Sequence, residues 1–291
     1  MNPALCMRAL VLIGALIGVL IGALTVGAAH AGDTAARRML PMHEQLEWRG
    51  VGRLNFEDGG YCTATLLSET LVVTAAHCLF ADARRRRNSE VWFAAGYRNG
   101  KWQAIRQARR TAVHPDYVST PGTQANADQT VADIALIELD APVMDTTIPH
   151  YPAADLPDPG GGVALLSYGR GRSDALSLQE PCRVIGRWKS IVRLTCEVAQ
   201  GSSGAPVFRR GLNGAPQMVA VISGYTSKET FAVALDTGLP PLRAALDGQG
   251  PRRKTVGTGV ARPRAPGAAA ASTAPRLQGG GAWQPKRPPD G

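Results

Sequence analysis

The sequence predicts an all-β protein, and three observations carry that prediction. Residues 32–249 hold a series of short runs rich in β-branched residues, among them Val51–Phe56, Cys62–Leu67, Leu71–Thr74, Val91–Ala95 and Ile134–Leu139. Further runs follow at Val163–Tyr168, Val184–Trp188, Ile191–Cys196, Met218–Ser223 and Thr230–Leu235. Gly, Pro, Asn and Asp separate them at a spacing that suits an antiparallel barrel or sandwich. Helical patterning is scarce: only Ala75–Phe80 and Pro240–Leu246 read as short helices. The segment also carries enough apolar residues for one well-cored domain or two small barrels packed together. No repeat of 20–50 residues is visible.

Residues 1–31 stand apart from that domain. Arg8 precedes an apolar run from Ala9 to Ala29, broken only by Thr25, and the run ends in Ala29-His30-Ala31. A positive start, an apolar middle and an A-x-A ending describe a secretory signal cut after Ala31, so the expected location is periplasmic or extracellular, in a bacterium. The run is nearly long enough to span a bilayer, and left uncleaved it would act as a membrane anchor. Met7-Arg8 offers an alternative translational start that would drop Cys6.

The cysteines agree with export. Beyond Cys6 there are four, Cys62, Cys78, Cys182 and Cys196. An even number in an exported chain reads as disulfides rather than metal ligands. Four cysteines allow three pairings. The two nearest in sequence, Cys62–Cys78 and Cys182–Cys196, would close short loops, each stabilising by about 3 kcal/mol in the chain-entropy description. No Cys-x-x-Cys or His-x-x-x-His pattern points to zinc, and no ligand pattern points to calcium, so neither metal nor cofactor is expected.

From Gly250 to Gly291 the composition shifts to Arg, Pro, Gly and Ala, which cannot bury enough surface to offset chain entropy, and a disordered tail is expected. It carries Arg252, Arg253, Lys254, Arg262, Arg264, Arg276, Lys286 and Arg287 against Asp290 alone, so most of the net charge of +9 belongs to it. Such a tail reads as a solvated linker, with a basic arm for anionic surfaces as the competing reading. Arg84–Arg87 is a second basic run and reads as a solvated loop. No specific nucleic-acid site is indicated.

Candidate chemistry gathers in three places. Gly201-Ser202-Ser203-Gly204-Ala205-Pro206 sets a serine between small residues, followed by Val207-Phe208, which can carry the chain back into a core. A nucleophilic hydroxyl needs such an exposed tight turn, converging backbone N–H groups and a base within reach. Of five histidines (His30, His43, His77, His114, His150), His77 has the setting for that base, directly after the buried run Leu71–Thr74 and beside Cys78. The imidazole then needs an acid to hold its tautomer and stabilise its charged form. Asp133 stands at the mouth of Ile134–Leu139, while Asp116, Asp128 and Asp140 lie in loop-like or Pro-flanked surroundings that suit caps and turns.

Thr74–Cys78, Asp133–Leu136 and Gly201–Pro206, in that order, resemble the chymotrypsin/trypsin-like serine peptidases, in particular their exported bacterial members. Cys62–Leu66, Val113–Tyr117, Ser167–Gly169 and Val221–Ser223 add to the resemblance, which runs from about Arg49 to about Leu246. It implies two six-stranded antiparallel β-barrels, divided near Asp145–Gly160, with the active site in the cleft between them and a short C-terminal helix. It implies a monomeric serine endopeptidase acting on protein or peptide substrates through an acyl-enzyme. Ser203 would be the nucleophile, His77 the base and Asp133 its orienting acid. The backbone N–H groups of Gly201 and Ser203 would form the oxyanion hole.

Two departures from the family accompany the match. Ser202 occupies the position where animal digestive members carry an aspartate that receives a new N-terminal amine, and no activation sequence of the Arg-Ile-Val-Gly-Gly type precedes Arg49. Counting back from Ser203 puts Glu197 at the floor of the specificity pocket, which would favour Arg or Lys at the cleaved position; the competing placement is on a solvent-facing loop. Ser223 would pair with substrate backbone, and Gly224 and Tyr225 would line the pocket wall, in the reverse of the family's usual aromatic-glycine order. A catalytically idle homologue serving as a binding protein is the alternative function; its usual mark, loss of His, Asp or Ser, is lacking.

Overall fold

Chain direction reverses at nearly every turn to build two closed barrels. The computed structural model describes residues 36–119 and 127–248, all within one compact unit; the N-terminal segment and the basic tail read above lie outside the described residues.

A short strand β1 (Arg38–Met39) opens the chain, followed by a 3-10 turn over Glu44–Trp48. The first barrel then begins with β2 (Val51–Phe56), β3 (Tyr61–Leu66) and β4 (Leu71–Thr74). A 3-10 turn over Ala76–Leu79 carries His77, and a small hairpin of β5 (Phe80–Ala81) and β6 (Arg84–Arg85) follows. The barrel continues with β7 (Val91–Ala95), β8 (Ala104–Val113), a single helical turn α1 (Ala127–Val131) and β9 (Ala135–Leu139), closing in the order β2-β3-β4-β9-β8-β7.

Residues 140–161 cross to the second barrel. It is formed by β10 (Gly162–Ser167), β11 (Ser177–Trp188), β12 (Ile191–Leu194), β13 (Pro206–Arg210), β14 (Pro216–Tyr225) and β15 (Thr230–Ala234), in the order β11-β10-β13-β14-β15-β12. Pairing of β11 with β12 closes it, and β1 adds to the outside of β11 with Arg38 opposite Leu178. Both barrels are six-stranded and antiparallel, as the sequence leads one to expect. Helix α2 (Leu235–Leu246) ends the described chain.

Disulfides join Cys62 to Cys78 and Cys182 to Cys196, the two pairs nearest in sequence. Between the barrels Trp48, Tyr151 and Phe208 pack together, with ring centroids 5.1 Å apart for the tilted pair Trp48–Phe208 and 4.8 Å for the edge-on pair Tyr151–Phe208. Aromatic pairs of this kind contribute beyond their buried area, and here they hold the two barrels in one core with Val73, Leu136 and Val221.

The elements that differ from the sequence expectation include the hairpin strand at Arg84–Arg85, read above as a solvated loop, the helical turn α1, strands β8 and β13, and the start of helix α2. Strand β8 was not foreseen because its alternation is masked by Arg106, Arg109 and Arg110; Arg110 meets Glu138 of β9 at 2.5 Å and donates to the Leu246 carbonyl. Strand β13 begins at Pro206, a position open to proline because no ladder N–H is required there. Helix α2 starts five residues before Pro240, since Leu235, Leu239 and Leu242 bury one face. That burial outweighs the two prolines inside the helix.

Candidate active site

Strand β4 runs straight into the turn that carries His77, and the Cys62–Cys78 bond pins that turn to β3. Asp133 sits just before β9, the neighbour of β4 in the barrel. The residue is 2% exposed. A buried carboxylate is costly unless its oxygens are satisfied, and three donors meet it. The His77 backbone N–H donates to Oδ1 at 2.8 Å, and His77 Nδ1 lies 2.7 Å from Oδ2. The Ser223 hydroxyl donates to Oδ2 at 2.5 Å. Both protein groups of His77 are therefore held by one acid.

Burial pushes the His77 pKa down, but the charge and hydrogen bond of Asp133 push it up by more, and it stands above the ordinary imidazole value. The side chain keeps 37% of its surface exposed, so solvent moderates the effect. Tyr117, packed on Phe80, also feels Asp133; burial first and that charge second hold its hydroxyl in the neutral form. The competing acids have other duties. Asp116 is exposed beside His114, and Asp140 accepts the Gln107 N–H. For Asp128 no side-chain placement is described.

The serine loop comes from the second barrel. Gly201 and Gly204 adopt φ of +91° and +77°, a region open to glycine at little cost. Space forbids anything larger. A Cβ on Gly204 would meet Thr74 Oγ1 at 2.1 Å and the Thr63 carbonyl at 2.2 Å, and one on Gly201 would strike the Tyr61 ring at 2.4 Å.

Within the loop, the N–H groups of Ser202, Gly204 and Ala205 donate to the carbonyls of Ala199, Ile222 and Ser202. Among the described residues the N–H groups of Gly201 and Ser203 donate to nothing. The Gln200 carbonyl accepts the Arg170 N–H at 2.7 Å. In a planar trans peptide C=O and N–H point opposite ways, so that bond turns the Gly201 N–H away from Arg170. Ser203 and His77 line one cleft together with Gly201 and Tyr61.

Residue Thr63, whose string Cys62–Leu66 was noted in the sequence without a role, joins this loop to the first barrel. Its N–H donates to the Ser203 carbonyl at 2.9 Å, and its hydroxyl donates to the Gly201 carbonyl at 3.0 Å while accepting the Tyr168 N–H at 3.0 Å. No composition or spacing signal marks a threonine for that duty.

Residues 62–213 match the family model of the trypsin-like peptidase domain. The chain belongs to that family. Among solved structures the peptidase is similar to the protease Anisep from Arthrobacter nicotinovorans, with a TM-score of 0.52 at 16% identity, over 64% of this chain and 90% of that one. At that identity the likeness concerns the fold. No curated protein matches the chain.

On the far side of Ser203 a cavity of about 710 Å³ is lined by Val198, Ala199, Gln200, Ser223, Gly224 and Tyr225, with Phe231 behind them. Ser223, Gly224 and Tyr225 border it, and the Ser223 hydroxyl has in addition the contact with Asp133. Glu197 does not. It is exposed, its N–H is held by the Gln179 side chain at 2.8 Å, and its carboxylate acts on Arg37 instead. The neighbouring Cys196 is buried in its disulfide, and successive side chains of an extended chain face opposite ways. Glu197 is thus exposed and outside the described lining of this cavity, in line with the competing placement on a solvent-facing loop. A histidine beside two cysteines, Cys62, His77 and Cys78, has the spacing of a metal site. Both sulfurs are joined in a disulfide, which supplies no thiolate.

Proposed function

We propose that this peptidase is an exported serine endopeptidase that cleaves protein or peptide substrates through an acyl-enzyme. The observation that carries the reading is the single carboxylate of Asp133 bound at once to His77 Nδ1, the His77 N–H and the Ser223 hydroxyl, in a cleft that also holds Ser203. A buried acid so placed fixes the Nδ1–H tautomer and leaves the far ring nitrogen free to act as a base.

Each residue then has one task. Ser203 Oγ attacks the scissile carbonyl while His77 takes its proton. As the tetrahedral intermediate collapses, His77 returns that proton to the leaving amine, and a water repeats the sequence on the ester. Negative charge on the former carbonyl oxygen meets the N–H groups of Gly201 and Ser203, which the loop leaves uncommitted. Preorganised donors of this kind contribute about 3 kcal/mol each to the barrier reduction. Two disulfides support a life in an oxidising compartment, in line with the signal-like residues 1–31.

A fluorophosphonate probe tests the reading on purified mature protein. Wild type labels, and Ser203→Ala and His77→Ala do not. Failure of folded wild-type protein to label would overturn it in favour of an idle, binding-type homologue.

A further inference from the structure

Two cavities flank Ser203. The larger one lies beside Ser223–Tyr225, and a second of about 370 Å³ runs past His77 towards Tyr61 and Phe80; Arg170, Gln200 and Ser203 border both. Among the described residues neither is lined by a carboxylate, and the one formal charge on the larger is that of Arg170. In the smaller the fixed cations are Arg86 and Arg170.

These two differ in commitment. Arg86 pairs with Asp58 at 2.7 Å and stacks on Phe56 with its guanidinium 4.0 Å from the ring centre. Arg170 is exposed, and among the described residues its side chain makes no hydrogen bond or ion pair. Its backbone is tethered to the Gln200 carbonyl, so the loose charge is anchored at the junction of the two cavities. Glu197, the acid nearest in sequence to this wall, faces Arg37 and does not offset it.

We propose that the cleft selects an acidic side chain at one of the two substrate positions flanking the scissile bond, with Arg170 as the residue that reads it. This rests on the serine-peptidase reading above. A carboxylate entering either cavity meets one unpaired guanidinium whose fork matches it with two parallel hydrogen bonds. A Lys or Arg side chain meets a like charge and, among the described lining residues, no carboxylate to pair with, and the apolar walls at Val198, Ile222 and Phe231 offer it no compensation. Discrimination of about tenfold between acid and neutral isostere follows for one charge-assisted contact partly shielded from water.

The test is a cleavage profile on a mixed peptide library, with mature wild type, Arg170→Gln and Arg170→Glu, at low and high salt. The expected result is enrichment of Asp or Glu at a flanking position, reduced about tenfold in Arg170→Gln, reversed towards Lys or Arg in Arg170→Glu, and weakened by salt. Both variants keep the backbone N–H that holds Gln200. Enrichment of Lys or Arg by wild type, or one unchanged profile across all three proteins, would overturn the proposal. A second arm measures binding of matched acidic and basic peptides to Ser203→Ala, with and without Arg170→Glu. Absence of both cleavage and probe labelling in wild type would defeat the peptidase reading, while the binding arm would still decide the charge preference.

Discussion

The hydroxyl of Thr63, on the first barrel, donates to the carbonyl of Gly201, on the serine loop of the second, at 3.0 Å. The same oxygen accepts the Tyr168 N–H, and the Thr63 side chain is fully buried. Replacing it with valine keeps the shape and leaves two buried backbone groups without partners. Thr63→Val is expected to lose about 1–3 kcal/mol of stability in a urea titration and to label with a fluorophosphonate more slowly than that loss of folded protein explains.

Gly204 has no room for a methyl group, since Thr74 Oγ1 and the Thr63 carbonyl occupy its place at a positive φ. Gly204→Ala should lower stability by on the order of 3 kcal/mol, seen as a fall in thermal midpoint. An unchanged midpoint would mean that the loop tolerates a shift the packing around Thr63 argues against.

Activity is expected to rise with pH through the His77 pKa, because the base must be neutral. That pKa is raised by Asp133, so the acid limb of the kcat/KM profile should lie above about 6.5. Asp133→Asn leaves only the opposing effect of burial. Its limb should move to lower pH, with kcat down by about 10⁴-fold from the wrong tautomer.

The same shift has a sign for stability. A folded pKa above the unfolded one stabilises below about pH 6.5 and ceases to do so as pH rises through the folded value. The stability gap between wild type and His77→Gln should therefore narrow from pH 6 to pH 9. A gap that widens would contradict the Asp133–His77 pairing.

Reducing the disulfides should separate their roles. Each closes a short loop, of sequence separation 16 for Cys62–Cys78 and 14 for Cys182–Cys196, and each is expected to contribute about 3 kcal/mol. Cys62→Ala/Cys78→Ala should also slow probe labelling, because that bond holds the His77 turn against β3.

How far the sequence could be read follows from what kind of signal each part leaves. The runs at Val51–Phe56 and Val91–Ala95 became strands with the same bounds, since nearly every residue of each is buried and the composition shows it. Strand β8 left no such trace because guanidinium stems cover its outer face. The residues proposed as acid, base and nucleophile stand out in the sequence through three strings in order. Glu197 had two competing placements because counting along a chain gives position and not facing. Thr63 was silent because a hydrogen bond across two barrels has no local spacing to betray it.

The Thr63 bridge also makes the serine loop a sensor of assembly. The pairing of His77 with Asp133 is written within the first barrel, yet two carbonyls of the loop that carries Ser203 are held by that barrel and not by its own. A chain in which the two barrels have each formed but not met would own every reactive group and lack the arrangement. Opening of the barrel seam by little more than the length of one hydrogen bond would free those two carbonyls while both β-sheets stayed closed. The place of the loop in the cleft with His77 therefore depends on the contact between the barrels as well as on the closure of each.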